Sequence, residues 1–128
     1  MQQIVSQTIS LLCIVYNLCF AAFHVLFWRW RQWPGTLAAS GAVNSGITQT
    51  LNVMLTYIFL AYATAIGVVV FVQNASPSAS GLALTGAGFW LLRTVVQPVL
   101  FAPARLSRAM TMIFLVGTIL HIGLWWST

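Results

Sequence analysis

The sequence predicts an all-α integral membrane protein, a four-helix bundle with short connections, and three observations support this fold class. Hydrophobic residues make up 60% of the 128 residues and charged residues only 4%, with a mean hydropathy of +0.94, which is far outside the range of soluble globular proteins. Four apolar stretches are long enough to cross a ~30 Å hydrocarbon core. Each stretch also carries one polar stripe at helical spacing, as a bundle interior requires.

The four spans are predicted at residues 4–27, 47–72, 82–101 and 109–126, all within a single transmembrane domain of residues 1–128. The first span has no basic segment before it and is too long for the apolar core of a signal peptide. We therefore expect it to remain in the mature protein.

The first connection, residues 29–46, is predicted to be a loop or a short surface helix. Pro34 cannot continue a helical hydrogen-bond ladder and Gly35 permits a turn, so both should end the first helix. Just before them arginine and tryptophan alternate, a pattern typical of the membrane interface. The predicted interfacial anchors are Trp28, Arg29, Trp30, Arg31 and Trp33.

The arginines also predict the orientation of the spans. Those that flank the first and third connections are Arg29, Arg31, Arg105 and Arg108, whereas the second connection, residues 73–81, has no charge. Since basic loops stay in the cytoplasm, both termini should face out. The formal charge of +5 therefore indicates membrane topology, and we expect the lipid bilayer, not nucleic acid, as the surroundings of these arginines.

One stripe of polar or small residues runs along each span and should face the bundle interior. The stripe of the first span is Gln3, Ser6, Ser10, Cys13, Asn17 and His24, with Phe20 in its one gap. The others are Ser45, Gln49, Asn52, Thr56, Ala63 and Gly67; Gly86, Trp90, Arg93 and Gln97; and Ser107, Thr111, Thr118, His121 and Trp125.

Counting 1.5 Å per residue from the cytoplasmic ends brings several of these groups to similar depths, with Arg93 about 12 Å into the membrane. The predicted ligand- or partner-binding cluster is Arg93, Gln97, His24, Asn52, Asn17 and Thr56. It should form a polar pocket or a sealed network in the cytoplasmic half.

Arg93 places a positive charge within a predicted span, and the chain contains no Asp or Glu to pair with it. In one interpretation it extends toward the interface and donates to backbone carbonyls, including that of Thr94, which Pro98 deprives of its helical donor. In the other it binds an anion: a lipid phosphate, a carboxylate substrate, or an acidic residue of another subunit.

Two histidines raise the possibility of a b-type haem or a quinone site. His24 and His121 should lie roughly 12 Å apart along the membrane normal, so they cannot share one iron as axial ligands. Ligation by a single histidine remains open, beside the simpler interpretation that each histidine is hydrogen-bonded within the bundle. No metal site is predicted.

Without carboxylates the chain has no acid pair for hydrolysis, no Ser-His-Asp triad and no calcium or magnesium cage. Proton-coupled export through a membrane-embedded glutamate is excluded for the same reason. We predict no catalytic residue, and an enzyme built on this chain would have to work with His, Arg, Asn, Gln and Cys alone.

Thirteen residues spread over most of the chain carry a resemblance: His24, Phe27, Trp28, Arg29, Trp33, Pro34, Leu51, Asn52, Phe89, Trp90, Leu91, Arg93 and Gln97. On these residues the sequence resembles a group of small four-span bacterial inner-membrane proteins of unassigned function. The resemblance implies a bacterial cytoplasmic membrane and carries over no catalytic residue.

Three classes of function stay open on the sequence. The first is a non-catalytic subunit or scaffold of a larger membrane complex, favoured because almost all of the chain lies within predicted spans. The second is an oligomeric transporter or channel for a small anionic or polar solute, since four short spans need another copy to enclose a pathway. The third is a redox membrane protein that binds haem or quinone.

Overall fold

A computed structural model describes residues 2–73 and 76–128, and helices account for most of them. Four helices are long and apolar enough to cross a membrane. A 3₁₀ helix precedes the second of them and a π-helical segment extends it. The bounds are α1 Gln2–Trp30, the 3₁₀ helix Gly35–Ser40, α2 Ala42–Gly67, the π-helical segment Val68–Gln73, α3 Ser76–Leu100 and α4 Arg105–Ser127.

The observed helices extend past the predicted spans at most of their ends. α2 begins at Ala42 rather than at residue 47, and α3 begins at Ser76 rather than at residue 82. A hydropathy count stops where polar residues begin, whereas backbone hydrogen bonding continues into the interface. Of the predicted second connection, residues 74 and 75 lie outside the described part of the chain.

The first helix ends earlier than proline and glycine suggest, and it does so through a Schellman motif. Gln32 adopts a left-handed conformation with φ of 52°. The N–H of Trp33 donates to the carbonyl of Trp28 over 3.0 Å, and that of Gln32 donates to Arg29 over 3.3 Å. The ring of Trp33 then packs edge-on against Phe27, with centroids 5.2 Å apart. These are the two hydrogen bonds and the apolar contact of the motif.

The predicted inward stripes are largely the buried ones. On α1 the side chains of Ser10, Cys13 and Asn17 are buried. One position on α4 is wrong, because Trp125 is 41% exposed whereas Leu124 is fully buried. Both fall within one turn of His121, and with 3.6 residues per turn either could lie on that face.

The contacts of the chain define two compact units. One comprises Ile14–Thr64 and is an antiparallel pair formed by the later part of α1 and most of α2. The ring of Phe20 on α1 packs against the ring of Phe59 on α2. Closer to the loop that joins the two helices, Trp28 on α1 is hydrogen-bonded to Gln49 on α2. Residue numbers rise along α1 as they fall along α2, as antiparallel packing requires.

The other unit holds the residues up to Cys13 and those from Ala65 onward. Within it α3 and α4 pack against each other. The hydroxyls of Ser80, near the start of α3, and Thr128, just after α4, lie 2.7 Å apart. This contact and the short connection after Leu100 make α3 and α4 an antiparallel hairpin.

Candidate functional site

The predicted cluster divides between the two compact units, so each part is described by itself. His24, Asn52, Asn17 and Thr56 belong to the unit Ile14–Thr64. Arg93 and Gln97 belong to the other unit, on α3.

His24 and Asn52 form a reciprocal pair between α1 and α2. The Nδ2 of Asn52 donates to the backbone carbonyl of His24 over 2.9 Å. The Oδ1 of the same amide lies 2.7 Å from His24 Nδ1. Asn52 is buried and His24 is half-buried. One amide thus makes two hydrogen bonds to one residue of the neighbouring helix, which fixes the register of the two helices.

The geometry of this pair also determines where the proton of the His24 ring lies. Because Asn52 uses Nδ2 as a donor, its Oδ1 must be the acceptor, so His24 Nδ1 carries the hydrogen. The neutral ring then has its lone pair on Nε2. His121 shows the same pattern within its own unit, since its Nδ1 donates to the carbonyl of Gly117 over 2.7 Å.

The other two predicted members of this part, Thr56 and Asn17, lie within the helix pair as well. Thr56 donates its hydroxyl to the carbonyl of Asn52 over 3.0 Å, a common hydrogen bond within a helix. Asn17 is buried two turns before His24 on α1. The ring of His24 also faces Phe59, with centroids 5.5 Å apart.

Arg93 lies in an aromatic cradle on the α3–α4 hairpin. Its Cζ is 5.0 Å from the centroid of the Phe114 ring and 5.8 Å from that of Phe101. Phe114 is buried and stacks on Trp90, with centroids 5.9 Å apart. Arg93 itself is half-buried. The guanidinium therefore lies against ring faces, whose negative quadrupoles attract a cation.

The structure differs from one part of the first interpretation of Arg93. Within the described residues Arg93 donates to no backbone carbonyl, that of Thr94 included, although Pro98 does lie inside α3. Its guanidinium extends toward the end of α3, where its Cζ lies 5.8 Å from the centroid of the Phe101 ring. In the described part of the chain no side chain carries a negative charge to meet it.

Gln97 follows Arg93 by one turn on the same helix face, and it is 4% exposed. Its Oε1 is buried and has no hydrogen-bond partner among the described residues. A buried amide oxygen left in this state costs about 1–3 kcal/mol. Arg93 has donors that could satisfy this oxygen, yet its guanidinium lies on the rings instead.

The sequence prediction missed the aromatic residues that surround the charged and polar groups. Phe114 contacts Arg93 on one hairpin, and Phe59 contacts His24 on the other. A signal for Phe114 did exist, because it fills the gap between Thr111 and Thr118 in the stripe of α4, as Phe20 does in the stripe of α1. Phenylalanine in an apolar span otherwise resembles a lipid-facing residue.

The predicted anchors cluster where α1 ends. Trp30 is 69% exposed, and Arg29 is exposed beside it. Arg31 lies over the Phe27 ring at 6.0 Å from its centroid. The indole N–H of Trp28 donates to Gln49 over 3.4 Å. The interfacial role of the exposed groups stays a prediction, whereas Trp28 also holds α1 to α2.

Among residues 2–73 and 76–128 there is no group of three or more histidine, cysteine or acidic side chains able to hold a metal ion.

Comparison with models of protein families, with curated proteins and with solved structures gives no match to this chain. The chemistry of the site therefore rests on its own groups: hydrogen bonds, ring faces and one uncompensated cation.

Proposed function

We propose that this chain is a non-catalytic subunit of a larger complex in a bacterial cytoplasmic membrane. In this proposal its four helices form a bundle with both termini outside, and Arg93 contacts a partner. The observation that supports it is the charge of Arg93, which lies over two aromatic rings and has no hydrogen-bond partner among the described residues, in a sequence without any Asp or Glu. A cation at this depth is costly unless a counter-charge accompanies it.

Native mass spectrometry of the tagged chain, purified in mild detergent, tests the proposal. We expect a species whose mass exceeds that of the 14.0 kDa chain by an amount that is not a multiple of it. Monomers or whole multiples alone would contradict the proposal. Multiples accompanied by solute flux in liposomes would support the transporter class instead.

A second candidate function, haem binding by a single histidine, has one observation in its favour. Both histidines donate from Nδ1, the tautomer that histidine ligands of metals commonly have. The absorbance spectrum of the purified protein tests it. A Soret band that disappears in His24→Leu or in His121→Leu would favour this candidate, and a spectrum without the band would end it.

A further inference from the structure

We infer that the α3–α4 hairpin docks a transmembrane helix of a different protein, and that this helix carries an Asp or Glu at the depth of Arg93. The inference rests on the proposed function and names the chemistry of the partner. It follows from three properties of Arg93: what its present surroundings contribute, where it lies on the hairpin, and which occupants could supply the missing charge.

The aromatic cradle attracts the charge but bonds to none of its donors. A ring face attracts a cation through its quadrupole, and Arg93 has two rings within 6 Å. Charged side chains within membrane helices are costly and are almost always paired with another group. In addition, the guanidinium has five N–H donors, and none of them is bonded to a described residue of this chain. The site is preorganised for a cation but lacks its anion.

The position of the guanidinium on the hairpin suits a carboxylate on a neighbouring helix. It lies between the buried ring of Phe114, nine residues into α4, and the ring of Phe101, just after the end of α3. A carboxylate on a neighbouring helix can meet it at either level, whereas a lipid phosphate stays at the headgroup level and can approach only from the end of the hairpin. The bidentate geometry of an Arg–carboxylate pair also uses two of the unbonded donors.

A second copy of this sequence offers no Asp or Glu side chain to meet the charge. The docking surface is apolar around Arg93, since Leu92 is 64% exposed and Leu100 is 70% exposed. The complementary partner is therefore an apolar helix with one acidic residue, provided by a different polypeptide.

The absence of lysine makes a direct test possible. All five basic residues are arginines, so Arg93→Lys introduces the only side-chain amine while keeping the positive charge. A membrane-soluble carbodiimide converts a buried carboxylate to an O-acylisourea, and the amine then attacks its acyl carbon, so that the amide bond forms as the urea leaves. We expect Arg93→Lys to yield an adduct with a peptide of another protein, joined through an Asp or Glu inside an apolar segment.

Arg105→Lys and Arg108→Lys are matched controls, because both residues are exposed in the first turn of α4. We expect at least tenfold less adduct from either. Arg93→Gln provides a second measurement that needs no cross-link: it should reduce co-purification of the partner at least tenfold, whereas Arg105→Gln should leave it unchanged.

The outcomes separate the inference from the proposed function. If wild-type protein has no heterologous partner, both fail. If the partner still co-purifies with Arg93→Gln, or if the adduct joins an acid outside any apolar segment, the inference fails and the proposed subunit function stands. A lipid lost on Arg93→Gln while the partner remains would assign the charge to a phosphate and overturn the inference.

Discussion

Asn52 concentrates two interhelical hydrogen bonds in one side chain. It donates to the His24 carbonyl and accepts from the His24 ring. In the apolar interior of a helix pair, water does not readily replace such partners, so the amide specifies how α1 and α2 align. The pair is also what assigns the Nδ1 proton of His24.

Asn52→Leu removes both bonds and leaves the His24 ring donor without this acceptor. We expect it to lower the free energy of unfolding in mixed micelles by about 1–3 kcal/mol. Asn44→Leu is the control, since Asn44 is exposed and bonds only locally to Ser40. Equal effects of the two substitutions would mean that the His24–Asn52 pair contributes no specific stability.

Gln97 presents the opposite case, a buried amide whose oxygen has no partner. Gln97→Met keeps the length of the side chain and removes the orphaned oxygen, so we expect it to raise the free energy of unfolding by about 1–3 kcal/mol. The same substitution at Gln49, whose amide bonds to Trp28 and Ser45, should lower it. A loss of stability in Gln97→Met would show that the oxygen is satisfied in the folded protein.

At the scale of the element, the end of α1 depends on Gln32. Its φ of 52° is sterically unfavourable for residues other than glycine by about 1–2 kcal/mol. The Schellman bonds and the packing of Trp33 on Phe27 hold it in this conformation. The predicted anchors Arg29, Trp30 and Arg31 directly precede this turn in the sequence.

Gln32→Val adds a β-branched side chain at a left-handed position, and we expect it to lower the unfolding midpoint in detergent by a few degrees, for a cost of about 1–2 kcal/mol. Gln32→Gly adopts this φ without penalty. Its midpoint should equal or exceed that of wild type. If both variants behave alike, the left-handed conformation at Gln32 does not limit the stability of this turn.

The sequence was informative about elements and less so about contacts. Hydropathy length and stripe periodicity predicted the four helices and most of their buried faces, since both are local properties of the chain. The cap at Gln32 was missed because Pro34 and Gly35 gave a stronger local signal two residues later. The cradle of Arg93 was missed because a pairing with Phe114 depends on how α3 and α4 pack, which periodicity does not specify.

At the scale of the whole molecule, the arrangement of arginines predicts cytoplasmic first and third connections. In a background lacking Cys13 and Cys19, an impermeant maleimide added to intact cells should label Thr128→Cys, just after α4. It should label Thr36→Cys, which is exposed in the first connection, only after the cells are opened. The reverse pattern would invert the predicted orientation.

The charge of the whole chain is what makes Arg93 unusual. The sequence has five basic residues and no acidic one, and the half-buried guanidinium lies over two rings without a hydrogen-bond partner among the described residues. If its counter-charge comes from another molecule, then the unpaired cation lowers the free energy of unfolding of the isolated chain. Removing the charge should then raise this free energy.

The free energy of unfolding of the purified chain alone, compared between wild type and Arg93→Met, tests this claim most directly. We expect the substitution to raise it by about 1 kcal/mol or more, since methionine packs against the same rings and brings no charge or hydrogen-bond donors into the membrane. Arg108→Met, at an exposed site, should change it by less than about 0.5 kcal/mol. A fall of about 1 kcal/mol or more in Arg93→Met would contradict the account, because it would mean that the chain itself satisfies Arg93.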